Sequence, residues 1–308
     1  MQFSRPPLLS SATHKMAARI GYGGRDEFGL AGSAGLFFFT IVTRGQSTMF
    51  PELCSLLGAD PESPERRQFT LISGHKTDAG FLLHHFLSYY LKAGCRVCFV
   101  ALAQSFSHYN IIGQKLGVSL VSSRDQGQLS FLEGLRSYTR LLLTETPESE
   151  AENPLRFLRT GSDLRPLYDF ITAALTPSAG EQWKCPVLII DDVSVLLSLG
   201  VTTLQVQDLL HYCRASVCHR YQGAVVCLLQ GDDGSEDSDY ERLLTSLWHQ
   251  SGLVLQVEGL VTGFCKDVHG QLTITRRTQE RHRASIYQYK IHDKTVSFFA
   301  RGLSAAVL

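Results

Sequence analysis

The sequence predicts an α/β fold with an open, mainly parallel sheet flanked by helices and an antiparallel C-terminal extension. Between residues 69 and 257, short apolar runs alternate with segments whose apolar residues recur at helical spacing. Several of the runs are continuously apolar, which is typical of parallel strands that are buried on both faces. Past residue 264 the pattern changes to a period of two, which indicates antiparallel hairpins.

The composition is that of a folded protein with a sizeable core, because 44% of its 308 residues are hydrophobic and 19% are charged. The 29 basic and 29 acidic residues cancel. A nucleic-acid binder that acts alone usually carries an excess of basic residues. Eight cysteines in a chain of this length do not form a disulfide framework, and most of them lie in apolar runs. We therefore expect a reducing compartment, the cytosol.

Residues 1–48 differ from the rest of the chain and are predicted to be a disordered N-terminal extension, with one domain over residues 49–308. They are rich in Gly and Ser, and their apolar run at 35–42 is shorter than the ~20 residues of a membrane span. A mitochondrial transit peptide is the alternative. Asp26 and Glu27 disfavour it, because such peptides contain few acidic residues.

The elements of the domain follow in order. A short apolar helix or arm at 49–57 precedes a polar connector at 58–68. Gly117 closes a helix that begins at residue 105, and Pro166 lies near the first turn of a helix at 164–175. An acidic loop at 231–241 precedes a helix that ends near Trp248. The predicted strands are 69–72, 96–103, 128–132, 186–190, 224–229 and 253–257. The two predicted hairpins, 264–276 and 286–299, turn at residues 269–270 and 292–293.

Residues 69–91 read as a strand, a glycine-bracketed loop and a helix, the arrangement that holds phosphates on backbone N–H groups. A competent loop reads G-x-x-x-x-G-K-[ST]. Counted from Gly74, the last three positions are Ala79, Gly80 and Phe81. Counted from Ser73, they are Asp78, Ala79 and Gly80. Neither register supplies the lysine or the hydroxyl, so the phosphate loop is degenerate.

Two further hallmarks of a nucleotide site are incomplete. Asp191 or Asp192 follows an apolar strand at the place where such proteins hold Mg²⁺, but strand-end aspartates also cap loops. The strand after the loop helix ends in Ala103, Gln104 and Ser105, with no carboxylate to prime water. We favour a structural role for the aspartates and predict no catalytic residue, cofactor or metal ligand.

Alternatives remain open at four places. Lys76 could reach a phosphate from within the loop, although a loop lysine is usually solvated. His84 and His85 are interpreted as helix-surface histidines, since adjacent helix positions do not face each other. The cluster of Cys213 and Cys218 lacks the spacing of a zinc finger. The basic residues between the hairpins could contact RNA phosphates or form a solvated connector: Arg276, Arg277, Arg281, His282 and Arg283.

Long stretches of residues 49–308 closely resemble the family of sixth subunits of Elongator, the tRNA-modifying complex, in its vertebrate form. They are MFPEL, LLHHFLSYYLKAGCRVCFVAL, QSFSHYNIIGQKLGVSL, GQLSFLEGL, PVLIIDDVSVLLSLG, GFCKDVHGQL and YQYKIHDKTVSFFARG. The resemblance implies a RecA-like fold without a competent phosphate loop. It transfers no catalytic residue, because no position here matches one.

The resemblance also implies partners. It predicts a heterohexameric ring with the fourth and fifth Elongator subunits, two copies of each, that binds tRNA and joins the catalytic subcomplex in wobble-uridine modification. The expected location is the cytoplasm, with a nuclear fraction and no membrane association. The acidic loop after Leu229 is at odds with direct nucleic-acid contact. The competing hypotheses are a divergent ATPase that uses Lys76 and an RNA-binding protein that acts alone.

Overall fold

A nine-stranded sheet forms the centre of the protein and confirms the predicted fold class. The structure, a computed structural model, describes residues 50–143, 153–161, 163–177, 180, 182–231, 238–260, 265–277 and 282–300. The strands are β1 (Gln68–His75), β2 (Arg96–Ala101), β3 (Leu129–Glu133), β4 (Pro186–Asp191), β5 (Ala224–Gly231), β6 (Leu253–Glu258), β7 (Gly270–Arg277), β8 (His282–Ile291) and β9 (Val296–Ala300). The predicted N-terminal extension, 1–48, lies outside the described residues.

The strand order is β3-β2-β4-β5-β1-β6-β7-β8-β9. The first six in this order pair in parallel, and β6 through β9 pair antiparallel. β1 lies between β5 and β6, so that Gly74 is opposite Gln230 on one side and Val257 on the other. This register decides the geometry of the loop that follows β1.

Helices cover both faces of the sheet. They are α1 (Pro51–Leu57), α2 (Gly80–Lys92), α3 (Phe106–Lys115), α4 (Leu120–Asp125), α5 (Gly134–Leu143), α6 (Phe157–Thr160), α7 (Arg165–Leu175), α8 (Ser194–Ser198), α9 (Thr203–Cys213), a π-helical continuation of α9 (Arg214–Arg220), and α10 (Ser238–Gln250). One core packs α1 to α4 against the sheet, and a second packs α5 to α10 against the opposite face. Each described parallel strand contributes alternate residues to the two cores, as the apolar runs predict.

Capping residues stabilise several helix ends as the sequence predicts. Ser105 caps α3 by accepting a hydrogen bond from the His108 amide at 3.3 Å, and Gly117 beyond the helix has a φ of +73°. Thr202 and Gln205 form a capping box at the start of α9. No described helix is both long and apolar enough to cross a bilayer.

The first predicted hairpin is wrong in its turn. Gly270 begins β7, which pairs along its length with β6 and with β8, so the chain does not turn back at residues 269–270. Alternation alone cannot show this, because a single strand has the same period of two. The second predicted hairpin is confirmed, since β8 and β9 pair from Ile291 and Val296 outward around residues 292–295.

Candidate functional site: the degenerate phosphate loop

The carboxyl ends of β1, β2, β4 and β5 meet at one edge of the sheet, where ligands of open α/β sheets bind. β1 extends to His75, so Gly74 belongs to the strand and the loop proper is residues 76–79. The N-terminus of α2 follows at once at Gly80. The backbone therefore retains the strand–loop–helix geometry that the sequence predicts.

The side chain of Gln230, at the end of β5, lies against this loop. Its Nε2 donates to the Thr77 carbonyl at 2.7 Å, and its Oε1 lies 3.5 Å from the Ala79 amide nitrogen, which donates to it. A Cβ at Gly74 would lie 2.2 Å from Gln230 Oε1, so the glycine provides the space that the amide fills. The side-chain amide of Gln230 thus accepts from the Ala79 N–H, the kind of group that a phosphate loop offers to its ligand, and also binds the Thr77 carbonyl.

Asp78 supplies a carboxylate to the start of α2. Its Oδ1 accepts a hydrogen bond from the Gly80 amide at 2.7 Å. A carboxylate at a helix N-terminus satisfies the same N–H groups and the same helix dipole that attract phosphate. A Cβ at Gly80 would lie 2.9 Å from Asp78 Oδ1, so the lysine position of the motif is adjacent to an anion of the protein itself.

The hydroxyl position of the motif belongs to the core. Phe81 is 6% exposed and packs against the rings of Phe50 and Tyr289, at centroid distances of 6.4 and 5.1 Å. The Tyr289 hydroxyl, from β8, lies 3.4 Å from Thr77 Oγ1 in the loop. The antiparallel extension therefore contacts the loop and fixes an aromatic side chain where Mg²⁺ chemistry needs a hydroxyl.

Asp192 has a structural role. Its φ is +58°. Its Oδ1 accepts hydrogen bonds from the backbone N–H groups of Ser194 and Gln230 and from the Ser194 hydroxyl. These contacts cap the turn between β4 and α8 and join it to β5. They confirm the interpretation of this aspartate as a loop cap, and they show that it also positions the residue that fills the phosphate loop.

Asp191 is buried, with 3% of its surface exposed. Burial, together with the nearby Asp192 and Asp78 carboxylates, raises the pKa of Asp191 to about 7, against hydrogen bonds from Tyr109 and the Gln104 backbone amide, which lower it. Its Oδ2 has no hydrogen-bond partner among the described residues. Asp78 and Asp192 thus place two further carboxyl groups near Asp191 at this edge of the sheet, where negative charge disfavours a bound anion.

Lys76 lies at the surface with a φ of +58°, and its carbonyl packs near Gly259. It follows the strand at the opposite end of the loop from the motif's lysine position, Gly80. Together with the amide and the carboxylate that occupy the loop, this placement does not fit a nucleoside triphosphate. The divergent-ATPase hypothesis has no geometric support in the described residues.

The interpretation of His84 and His85 as helix-surface residues is wrong for His85, which is buried, while His84 is half-buried. His85 is 1% exposed and stacks on Phe50 at 5.6 Å, with the rings 9° from parallel. His84 contacts the His108 and Tyr109 rings at 5.5 and 5.2 Å. Burial lowers the pKa of both His84 and His85 to about 3. The apolar α2 lies between the sheet and the helices α1 and α3, so adjacent positions are both covered.

The cysteines show no metal site. Cys213 and Cys218 are buried in the second core, while His211 and His219 are exposed. No group of three or more potential metal-ligating side chains is present in the part of the chain that the structure describes. The side chains of Cys95 and Cys98 belong to opposite faces of the sheet.

The tail arginines mostly serve the fold. Arg276 donates to the Leu57 carbonyl and pairs with Glu65 at 3.6 Å, and Arg277 donates to the Trp248 carbonyl at 2.6 Å. Arg283 is exposed, and the side chains of residues 281 and 282 lie outside the described ones. The cluster is therefore divided, because two of its members hold β7 against α1 and α10.

Sequence reasoning missed Gln230, Asp78 and Tyr109. Gln230 gives one signal, a polar residue at the end of the apolar run AVVCLL, next to Gly231. Asp78 is visible only once the start of α2 is placed at Gly80, because its role is a cap. Tyr109 gives none, since its proximity to Asp191 depends on the packing of α3.

Comparisons with known proteins agree with this geometry. A family model described as Elongation complex protein 6 matches residues 50–293. Elongator complex protein 6 of Xenopus tropicalis is 64% identical, and that of Homo sapiens 52%; each match covers 84% of this chain and all of the relative. The relative in Dictyostelium discoideum is 21% identical over 74% of this chain and 88% of its own length.

Solved structures support the fold. An uncharacterized Pyrococcus horikoshii protein, crystallised with an unknown peptide, superposes with a TM-score of 0.53 at 14% identity, over 82% of this chain and 98% of its own. The flagellar accessory protein FlaH of Methanocaldococcus jannaschii gives 0.50 at 12% identity, over 80% and 94%. The RecA-like fold is thereby confirmed. With the family match and the vertebrate relatives, these results lead to one assignment: the chain belongs to the Elongator complex protein 6 family.

Proposed function

We propose that this chain is a non-catalytic structural subunit of Elongator. It builds a heterohexameric RecA-like ring with the fourth and fifth subunits, and the ring binds tRNA and supports the carboxymethyl-type modification of wobble uridine at position 34. Family membership and the fold support this assignment. The observation that carries it is the loop after β1, which is filled by Gln230 and capped by Asp78.

The loop contacts explain why this subunit is proposed to be an assembly component. Charge-assisted contacts to phosphate are worth about 1.5–3 kcal/mol each. The lysine and hydroxyl that make such contacts are replaced here by Gly80 and Phe81, and a carboxylate adds repulsion. What remains is a sheet in which hydrogen bonds join the end of β5 to the loop after β1 and to the turn after β4. We propose that this sheet serves as a scaffold for contacts with neighbouring subunits.

Exposed apolar side chains supply such surfaces. On α5, Leu142 and Leu143 are 68% and 77% exposed, and on α9, Leu204 and Tyr212 are 66% and 59% exposed. Large apolar groups at the surface that recur on one element are typical of interaction sites. We propose that one or both helices contact a sister subunit. The proposed location, cytoplasm with a nuclear fraction, follows from tRNA as the substrate of the complex.

Co-expression with the fourth and fifth subunits tests the assignment. The tagged chain is expected to recover both partners in equal amounts and to be poorly soluble without them. The double variants Leu142→Ser/Leu143→Ser and Leu204→Ser/Tyr212→Ser probe the two helices, with Asp208→Asn on α9 as the control. We expect at least one double variant to lower recovery severalfold. A soluble monomer that recovers neither partner would contradict the proposal.

A further inference from the structure

Two buried thiols lie side by side at the amino ends of β2 and β4. The Sγ atoms of Cys95 and Cys185 are 3.4 Å apart, although the residues are 90 positions apart in the chain. β2 and β4 pair in parallel with Arg96 opposite Pro186, so Cys95 and Cys185 precede a matched pair. The Arg96 amide donates to the Cys185 carbonyl at 3.0 Å, and the Lys184 amide donates to the Gly94 carbonyl at 2.9 Å.

This geometry suits a disulfide. Neighbouring strands lie about 4.8 Å apart, within the roughly 4.4–6.8 Å range of Cα separations that disulfides bridge. The two sulfurs need only approach by about 1.4 Å, from 3.4 Å to the bond length of ~2.05 Å. Both thiols are buried in the first core, Cys95 fully and Cys185 with 5% exposed, so neither is oriented toward solvent.

The electrostatics distinguish the two members of the pair. A hydrogen bond from the Cys95 thiol lowers the pKa of Cys185, and the Arg66 and Lys184 charges lower it further, against its burial. The same hydrogen bond and burial raise the pKa of Cys95. Burial raises the pKa of Cys98 and Cys227 to about 12, so those core thiols are inert. Since the thiolate is the reactive form, Cys185 is the nucleophile of the pair.

A polar strap covers the pair. Lys184 Nζ donates to the Pro61 and Glu62 carbonyls at 3.1 and 3.0 Å, and Arg66 donates to the Lys184 carbonyl at 3.2 Å. These contacts are exposed, and exposed hydrogen bonds and ion pairs contribute little to stability. The strap can therefore open locally and admit a small oxidant while the sheet stays intact.

We propose that Cys95 and Cys185 form a site of reversible oxidation by hydroperoxides. The Cys185 thiolate attacks one oxygen of hydrogen peroxide and forms an S–O bond as the O–O bond breaks. The other oxygen leaves as hydroxide and takes up a proton to become water, and Cys185 is left as the sulfenic acid. The Cys95 sulfur then attacks the resulting sulfenic sulfur, loses its proton and displaces a second water. In total, the two thiols lose two electrons, and one hydrogen peroxide is reduced to two waters. A dithiol reductant reverses the reaction by exchange.

The bridge would act on the fold at a defined place. It would join β2 to β4 where Tyr90 of α2 packs beside both thiols. Because it closes a long loop, it restricts the unfolded chain strongly, and the oxidised protein should melt several degrees higher than the reduced one. Oxidation would thus make the edge of the sheet formed by β3, β2 and β4 more rigid, and reduction would reverse this change.

Peptide mapping of the full chain tests the site. The protein is treated with hydrogen peroxide, alkylated in denaturant and digested. We expect one linked peptide pair containing Cys95 and Cys185, removed by dithiothreitol, together with the rise in melting temperature. Cys185→Ser should abolish both effects. Cys98→Ser, three residues after Cys95 but on the other face of the sheet, should retain them. Cys265, which is partly exposed, reports that oxidant was present.

The wild-type mapping decides the question even where a variant fails to fold. Alkylation of both Cys95 and Cys185 after Cys265 has been oxidised would overturn the proposal. Oxidation of Cys185 to the sulfinic acid without a link to Cys95 would overturn it too, as would a bridge from either residue to another chain.

Discussion

Burial favours the neutral forms of two ionisable residues, Asp191 and His85, and shifts their pKa values in opposite directions. Asp191 is 3% exposed, and burial raises its pKa to about 7. His85 is 1% exposed, and burial lowers its pKa to about 3. A group whose pKa differs between the folded and unfolded states makes stability depend on pH, and the sign follows from the direction of the shift. These two residues therefore give opposite pH dependences.

For Asp191, stability is fully present below the unfolded pKa of about 3.9 and is lost as pH rises toward 7. Asp191→Asn removes the ionisation and keeps an oxygen that can accept from Tyr109 and Gln104. Relative to wild type, the variant should gain on the order of 2 kcal/mol in unfolding free energy between pH 5 and pH 8. Urea unfolding at each pH measures this gain.

The exposed Asp125, changed to Asn, is the control for Asp191 and should shift stability equally at both pH values. A difference between Asp191→Asn and wild type that does not change with pH would show that the carboxyl is already ionised at pH 5.

For His85, stability is fully present above the unfolded pKa of about 6.5 and is lost as pH falls below it. His85→Phe keeps an aromatic ring between Phe50 and Tyr89 and removes the group that must take up a proton on unfolding. The loss of stability between pH 7 and pH 4.5 should shrink by about 2 kcal/mol. The exposed His249→Gln is the control, and an unchanged acid slope in His85→Phe would contradict this account.

At the scale of the element, Gly74 and Gln230 act as one unit across β1 and β5. Gly74→Ala places a methyl group 2.2 Å from Gln230 Oε1, which displaces the amide from Thr77 and Ala79. We expect a loss of about 1–2 kcal/mol in unfolding free energy. In a Gln230→Ala background the three atoms that the methyl group approaches most closely are gone, so the two changes should be non-additive by about 1 kcal/mol.

Gly252→Ala provides the matched control for this double-mutant cycle. A Cβ there meets nothing within 4 Å, and its effect should be small and additive with Gln230→Ala. Additivity between Gly74→Ala and Gln230→Ala would mean that the amide does not occupy the loop.

The antiparallel extension is fixed to the domain by its own arginines. Arg277→Ala removes the donor to the Trp248 carbonyl at the end of α10 and should lower unfolding free energy by about 1–2 kcal/mol. Arg283→Ala, from the same basic cluster but exposed, should be close to neutral. Thermal unfolding of both variants measures this. A neutral Arg277→Ala that instead weakens tRNA binding would favour the RNA-contact hypothesis.

The sequence predicted the elements better than their surroundings. The six parallel strands follow from continuous apolar runs such as PVLII, because burial on both faces leaves no polar position. The burial of His85 and the half-burial of His84 could not be predicted, since they depend on α1 and α3 packing over α2. The loop's missing lysine and hydroxyl were visible in the motif, whereas its occupation by Gln230 required the register of β1 and β5.

At the scale of the whole molecule, the sheet keeps the strand–loop–helix geometry of a nucleotide site. Its strand ends and loop carry aspartates, and the position of the motif's lysine is a glycine. Asp78 and Asp192 lie close enough to Asp191 to raise its pKa, and the side chain of Gln230 hydrogen-bonds to the neighbouring loop. The two cores pack against opposite faces of the sheet that carries these ends. The loop lacks the lysine and the hydroxyl of the phosphate-binding motif, with Gly80 and Phe81 at those positions.

Calorimetric titration of the full chain with Mg-ATP tests this central claim most directly. The filled loop predicts no heat of binding for the wild type, and none for Lys76→Ala. Micromolar binding by the wild type that is lost in Lys76→Ala would contradict it, because nucleotide would then have displaced Gln230 and been held from the surface end of the loop.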